Sequence, residues 1–175
     1  MVYSIGSNND FQFENSIYES ISKNCEIHTF DPTVGNNPSN KPENVKFHAW
    51  GISNKNFINS KGYDMRTIEN ITRTLGHLNQ KIDIFKIDCE GCEFTTYKTW
   101  GLSSNTNNIV QIQIEVHGYL LQKMRPAFDL LSYMEENDYV IFHKESNTIG
   151  CKGKCIEYSL IKLNSSFFQK QTNLK

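Results

Sequence analysis

Apolar and polar positions alternate along the chain in blocks whose period changes repeatedly between that of a strand and that of a helix. "VYSIG", residues 2–6, is a short apolar run ending in a glycine, the pattern of a buried strand entering a turn. "DFQFENSIYESISKN" follows, with Phe13, Ile17 and Ile21 on one helical face, and Asp10 and Glu14 near the helix start, where acids suit the macrodipole. "CEIHTFDP" predicts a second strand that Pro32 stops, and "TVGNNPSNKPEN" a loop. "VKFHAWGIS" predicts a third strand, residues 54–65 an irregular segment, and "RTIENITRTLGHL" a helix with Ile68, Ile71 and Leu75 at helical spacing, stopping near Gly76.

"KIDIFKID" predicts the fourth strand, residues 92–100 a short helix ended by Gly101, and "NIVQIQIEV" the fifth strand. An amphipathic helix starts around Arg125, because Pro126 suits a first turn. "YVIFHKES" and "CIEYSLIKL" are two strands joined by "NTIGCKGK", whose Gly150 and Gly153 permit a hairpin-like turn. The alternation predicts an α/β fold, a mostly parallel sheet with helices on both faces, in one domain over residues 1–164. Residues 165–175 read as a flexible polar tail.

Composition narrows the partners. The 175 residues carry a net charge of -1 and are 38% hydrophobic, enough for a sizeable core and no electrostatic footprint for nucleic acid. A small-molecule acceptor or substrate fits that balance better. No apolar run reaches 18 residues, so no transmembrane helix is encoded. The first residues lack the basic and apolar regions of a signal peptide, which favours the cytoplasm, or the secretory pathway if a leader precedes the chain. Five cysteines match no zinc spacing. Cys151 and Cys155 could close a small disulfide, but the missing secretory signal favours free thiols, and Cys89 reads as a small buried hydrophobe.

In parallel sheets ligands bind beyond the carboxyl ends of the strands, so the pocket residues follow from the strand ends. Gly6, Ser7 and Asp10 follow the first strand and Asp31 ends the second. Gly51 ends the third, Asp88 and Glu90 the fourth, and Glu115 and His117 the fifth. A glycine turn leading into a helix, with an acid at the tip of the next strand, outlines a nucleoside site in which Asp31 would meet ribose hydroxyls. "GSNND" leaves little room for a pyrophosphate, so a ribose cofactor without phosphates, such as S-adenosylmethionine, fits better than a dinucleotide. Trp50, beside Gly51, could stack on adenine or pack in the core.

"VYSIGSNNDFQFE", "CEIHTFDPT", "FKIDCEGCEF" and "IQIEVH", in this order, resemble the FkbM-type methyltransferases, in their eukaryotic methyltransferase-like branch. The resemblance implies a Rossmann-like class I methyltransferase fold with a terminal antiparallel strand pair, S-adenosylmethionine as methyl donor and usually an oxygen acceptor. It sets Gly6 as the first motif glycine, Asp31 as the ribose-binding acid, and Asp88 as the acid beside the transferring methyl. Glu90 and Glu93 match the two acids that follow in that motif. The chain departs at Ser4, where class I enzymes carry an acid, and at Asn8, where the motif has a second glycine. The residues that family members carry before the first strand are missing, which reads as a fragment or a product without its lid.

The predicted function is an S-adenosylmethionine-dependent methyltransferase acting on a small-molecule or glycan-like hydroxyl. An alcohol acceptor needs a base, and His117 is the preferred one because its ordinary pKa lies near neutrality. Glu115 would orient it or replace it, with Asp88 on the same rim. Glu93 reads as a structural acid paired with Lys or Arg. Asp88 and Glu115 suit a divalent cation chemically, yet no metal site is predicted. The competing readings are a catalytically degenerate Rossmann-like module and an NAD or nucleotide-sugar enzyme.

Overall fold

A computed structural model describes residues 1–102, 108–118, 124–164 and 167 of the chain. The expected tail at 165–175 therefore lies, apart from Phe167, outside the described residues. Seven strands form the main sheet: β1 (Val2–Ile5), β2 (Ile27–Phe30), β3 (Val45–His48), β7 (Lys81–Ile87), β8 (Asn108–His117), β9 (Tyr139–Asn147) and β10 (Cys155–Lys162). Their order is β3-β2-β1-β7-β8-β10-β9. The first five run parallel, and β10 pairs antiparallel with both β8 and β9, giving the terminal antiparallel pair. The strand order turns back at β1, which puts the ends of β1, β2 and β7 around one crevice.

The two faces of β1 explain the layers. Val2 packs with Phe11, Ile17 and Ile27 beneath helix α1 (Gln12–Ser20). Tyr3 and Ile5 point the other way. They join the larger cluster with Ile68 and Ile71 of α2 (Ile68–Thr74), and with Leu130 and Met134 of α4 (Met124–Glu136). Trp100 is wholly buried there, edge-on to Phe85, its indole N–H donated to Thr96 Oγ1 at 3.1 Å. Each such side chain contributes about 1.5–3 kcal/mol through burial. The short helix α3 (Glu93–Thr96) continues into a 3-10 turn at Tyr97–Thr99 before Gly101.

The structure corrects several expectations. The third strand divides: β3 stays in the main sheet, while β4 (Trp50–Ile52) joins a second, three-stranded sheet of order β4-β6-β5. Its other members are β5 (Phe57–Ile58), inside the segment expected to be irregular, and β6 (Asp64–Arg66), which starts in that segment and ends on the first residue of the expected helix. They are so short that strand pairing, not an apolar period, defines them. Ile21 falls just past the end of α1 and is 62% exposed, while Glu14 on the helix is buried. Cys151 and Cys155 form a disulfide instead of free thiols, because the turn through Gly153 (φ 76°) brings their Cα atoms to 5.5 Å. Cys89 is bonded to Cys92 and is no lone packed thiol. Among the described residues no helix is long and apolar enough to cross a membrane.

Candidate active site

The crevice at the carboxyl ends of β1, β2 and β7 holds a cavity of about 720 Å³. Gly6, Ser7, Asp10, Asp31, Gly51, Asp88 and Glu90 all line it. Two glycines are there for close packing. A Cβ on Gly6 would lie 1.7 Å from the Asp88 carbonyl oxygen, and its φ is +83°. A Cβ on Gly51 would meet the Met65 sulfur at 2.6 Å. Gly6 thus lets the first turn press against the end of β7.

Asp31 ties that turn to the end of β2. Its Oδ2 accepts the backbone N–H groups of Ser7 at 2.9 Å and Asn8 at 2.7 Å. Its Oδ1 accepts the Thr33 backbone N–H at 2.8 Å and hydroxyl at 2.6 Å. Burial raises its pKa, but the Thr33 hydroxyl and the Thr33, Asn8 and Ser7 amides outweigh it and hold the carboxyl below its ordinary range. Asp10 is exposed and accepts the Gln12 backbone N–H at 3.0 Å. Pro32, Ile52 and Met65 form an apolar shelf beside Asp31.

The sequence places Glu14 near the helix start, where an acid suits the macrodipole, and gives it no role in the site. It is 1% exposed and lines the cavity. Its Oε1 accepts the Thr29 hydroxyl at 2.9 Å, whereas its Oε2 is buried with no hydrogen-bond partner among the described residues. The available signal was the three-residue repeat Phe11, Glu14, Ile17, all three buried. Lys86 was also missed. Its Nζ donates to the Gly6 carbonyl at 3.0 Å and lies 3.7 Å from Asp88 Oδ2.

The acids after β7 gather around His117. Glu93 Oε1 lies 3.0 Å from His117 Nδ1, and both side chains are 0% exposed, so the partner of Glu93 is this histidine and not Lys or Arg. His117 Nε2 is 3.4 Å from Glu90, 3.9 Å from Glu115 and 4.0 Å from Asp88. Burial pulls the His117 pKa down, but the Glu93 hydrogen bond and charge, with Glu115 and Glu90, lift it above its ordinary value. His117 does not line the cavity; it sits behind the rim, wholly buried and surrounded by carboxylates. Glu115 accepts the Asn147 side-chain amide at 3.0 Å. Burial, then the hydrogen bond and charge of Asp88, push Glu115 up to about 7. Trp50 stacks with the His48 ring, 4.6 Å away, and meets the Arg66 guanidinium, 3.7 Å away, off the cavity wall.

A family model described as a methyltransferase domain matches residues 1–162. The "Probable methyltransferase-like protein 24" of Homo sapiens is 26% identical over 157 residues, covering 81% of this chain and 42% of that protein. The protein of the same name from Rattus norvegicus is 27% identical with the same coverage. The chain therefore spans less than half the length of these curated relatives. No solved structure matches it. A match running from the first strand to the last, on a seven-stranded sheet with a cavity at its carboxyl edge, shows that this chain belongs to the methyltransferase domain family.

Proposed function

We propose that the chain is an S-adenosylmethionine-dependent methyltransferase of FkbM type, acting on an oxygen of a small-molecule or glycan-like hydroxyl. The observation that carries this is Glu14 Oε2, a buried carboxylate oxygen without a partner among the described residues, in the wall of the same cavity as Asp31. A buried polar atom without a partner is costly, and a donor group from a ligand relieves it. The cavity offers each part of the cofactor a matching surface. Pro32, Ile52 and Met65 suit the adenine face, Asp31 and Thr33 the ribose side, and Glu14 the amino group, replacing the acid that is missing at Ser4. Bound there, S-adenosylmethionine would supply an electrophilic methyl group on a positive sulfonium.

The chain's own residues do the rest. Gly6 and Asp31 fix the turn that the cofactor rests on. Asp88 and Lys86 hold the rim between them. Glu115, raised to about 7, is half-charged near neutrality and suited to take a proton from an acceptor hydroxyl. His117, held through Nδ1 by Glu93, orients that rim and does not itself act as the base. The two disulfides suit an oxidising compartment better than the cytoplasm.

A second reading, the non-catalytic module, is favoured by Asp31, whose acceptor positions are filled by its own chain. Calorimetry separates the two. S-adenosylhomocysteine is expected to bind stoichiometrically in the micromolar range, and NAD to give no heat. No heat from S-adenosylhomocysteine at millimolar concentration overturns the enzyme reading.

A further inference from the structure

The rim at Asp88 opens a second way. A smaller cavity of about 210 Å³ shares Phe13, Lys86 and Asp88 with the main one. Its floor comes from three neighbouring strands. Register places Lys86 of β7 opposite Gln113 of β8, and Gln113 opposite Ser159 of β10. Glu115 lies opposite Glu157. Strand alternation turns all of these side chains to one face of the sheet. That face is polar where a parallel sheet is usually apolar, and it adjoins the point where the methyl group is expected.

We infer that this second cavity is the acceptor pocket, that it takes a small uncharged polyhydroxyl fragment, and that Glu115 in its wall receives the acceptor's proton. The inference rests on the main cavity being the cofactor site. Its size, below the usual 300–1,000 Å³ of ligand pockets, suits one ring-sized fragment. Its charge sets the class: Asp88, Glu115 and Glu157 face it against Lys86 alone among the described residues, so phosphate and carboxylate groups are repelled. The Gln113 amide and the Ser159 hydroxyl each donate and accept, which matches the hydroxyls of a polyol. In the transfer, the acceptor oxygen bonds to the methyl carbon as its proton passes to Glu115. The carbon–sulfur bond breaks, and its electron pair stays on sulfur.

The test uses the ¹⁵N-labelled chain saturated with S-adenosylhomocysteine, to which methyl α-D-glucopyranoside or its 6-phosphate is added at millimolar concentration. The neutral glucoside is expected to shift the Gln113 side-chain amide and the backbone amides of Glu157 and Ser159. The 6-phosphate is expected to bind at least about tenfold more weakly. Gln113→Trp, which fills the cavity, should erase the shifts while S-adenosylhomocysteine affinity stays within about twofold. Ser159→Val, which keeps the size, should weaken the glucoside alone. Shifts that map elsewhere, no shifts, or equal shifts from the phosphate overturn the inference with the cofactor reading intact. A chain that takes no S-adenosylhomocysteine overturns the cofactor reading first, and this one with it.

Discussion

Glu93 and His117 form a closed pair: Oε1 of the acid accepts both the ring Nδ1–H, at 3.0 Å, and the backbone N–H, at 3.2 Å, of the histidine. Glu93 Oε2 also accepts the Gly91 N–H at 2.9 Å. The acid-rich loop after β7 is thereby stapled to the end of β8. Because the folded pKa of His117 is raised, its stabilisation is fully present below the ordinary value of 6.5 and is lost as pH rises through the folded pKa. Glu93→Gln is expected to cost about 3 kcal/mol below pH 6.5, where His117 is protonated, by removing its counter-charge. Urea unfolding gives the cost, and NMR titration of His117 should show its pKa falling.

Glu115 predicts a pH dependence of its own. Its folded pKa is raised to about 7 from an ordinary 4.5, with Asp88, Lys86, Glu157 and His117 facing it. Its contribution is therefore fully present below about 4.5 and is lost as pH rises through about 7. Unfolding measured across that window should show parent stability falling relative to Glu115→Gln. The variant should be the more stable protein above pH 7.

Gly6→Ala is expected to cost about 3 kcal/mol or more, since a side chain at φ +83° is strained and its Cβ would meet the Asp88 carbonyl. Circular dichroism on the purified variant checks this, as lost cooperative melting.

Glu14→Gln separates function from stability. It keeps an acceptor for Thr29 and exchanges an oxygen without a partner among the described residues for an equally unpartnered amide nitrogen, so the stability of the ligand-free protein should change by less than about 1 kcal/mol. S-adenosylhomocysteine should bind about tenfold more weakly, a loss near 1.4 kcal/mol. 5′-Methylthioadenosine, which lacks the amino-acid portion, should bind unchanged. Calorimetry with both ligands reads the difference.

The sheet was legible because its strands carry apolar runs bounded by Gly6, Pro32 and Asp88, and the strand ends led to the cavity wall. β5 and β6 were not, since two- and three-residue strands leave no period to read. Glu14 was hidden because an acid early in a helix usually faces water, and only the fold shows that this one faces Thr29. His117 drew notice as a base on its ordinary pKa. Its burial against Glu93 comes from the meeting of two strand ends far apart in the chain. The disulfides depended on turn geometry, which cysteine spacing does not encode.

The most direct measurement is a crystal structure of the chain grown with S-adenosylhomocysteine. Density for an adenosyl group is expected between Gly6, Asp31 and Asp88, with the amino group against Glu14 and the sulfur toward the Glu115 rim. A crevice that stays free of ligand at millimolar concentration, with Asp31 still closed on Thr33 and Asn8, contradicts it.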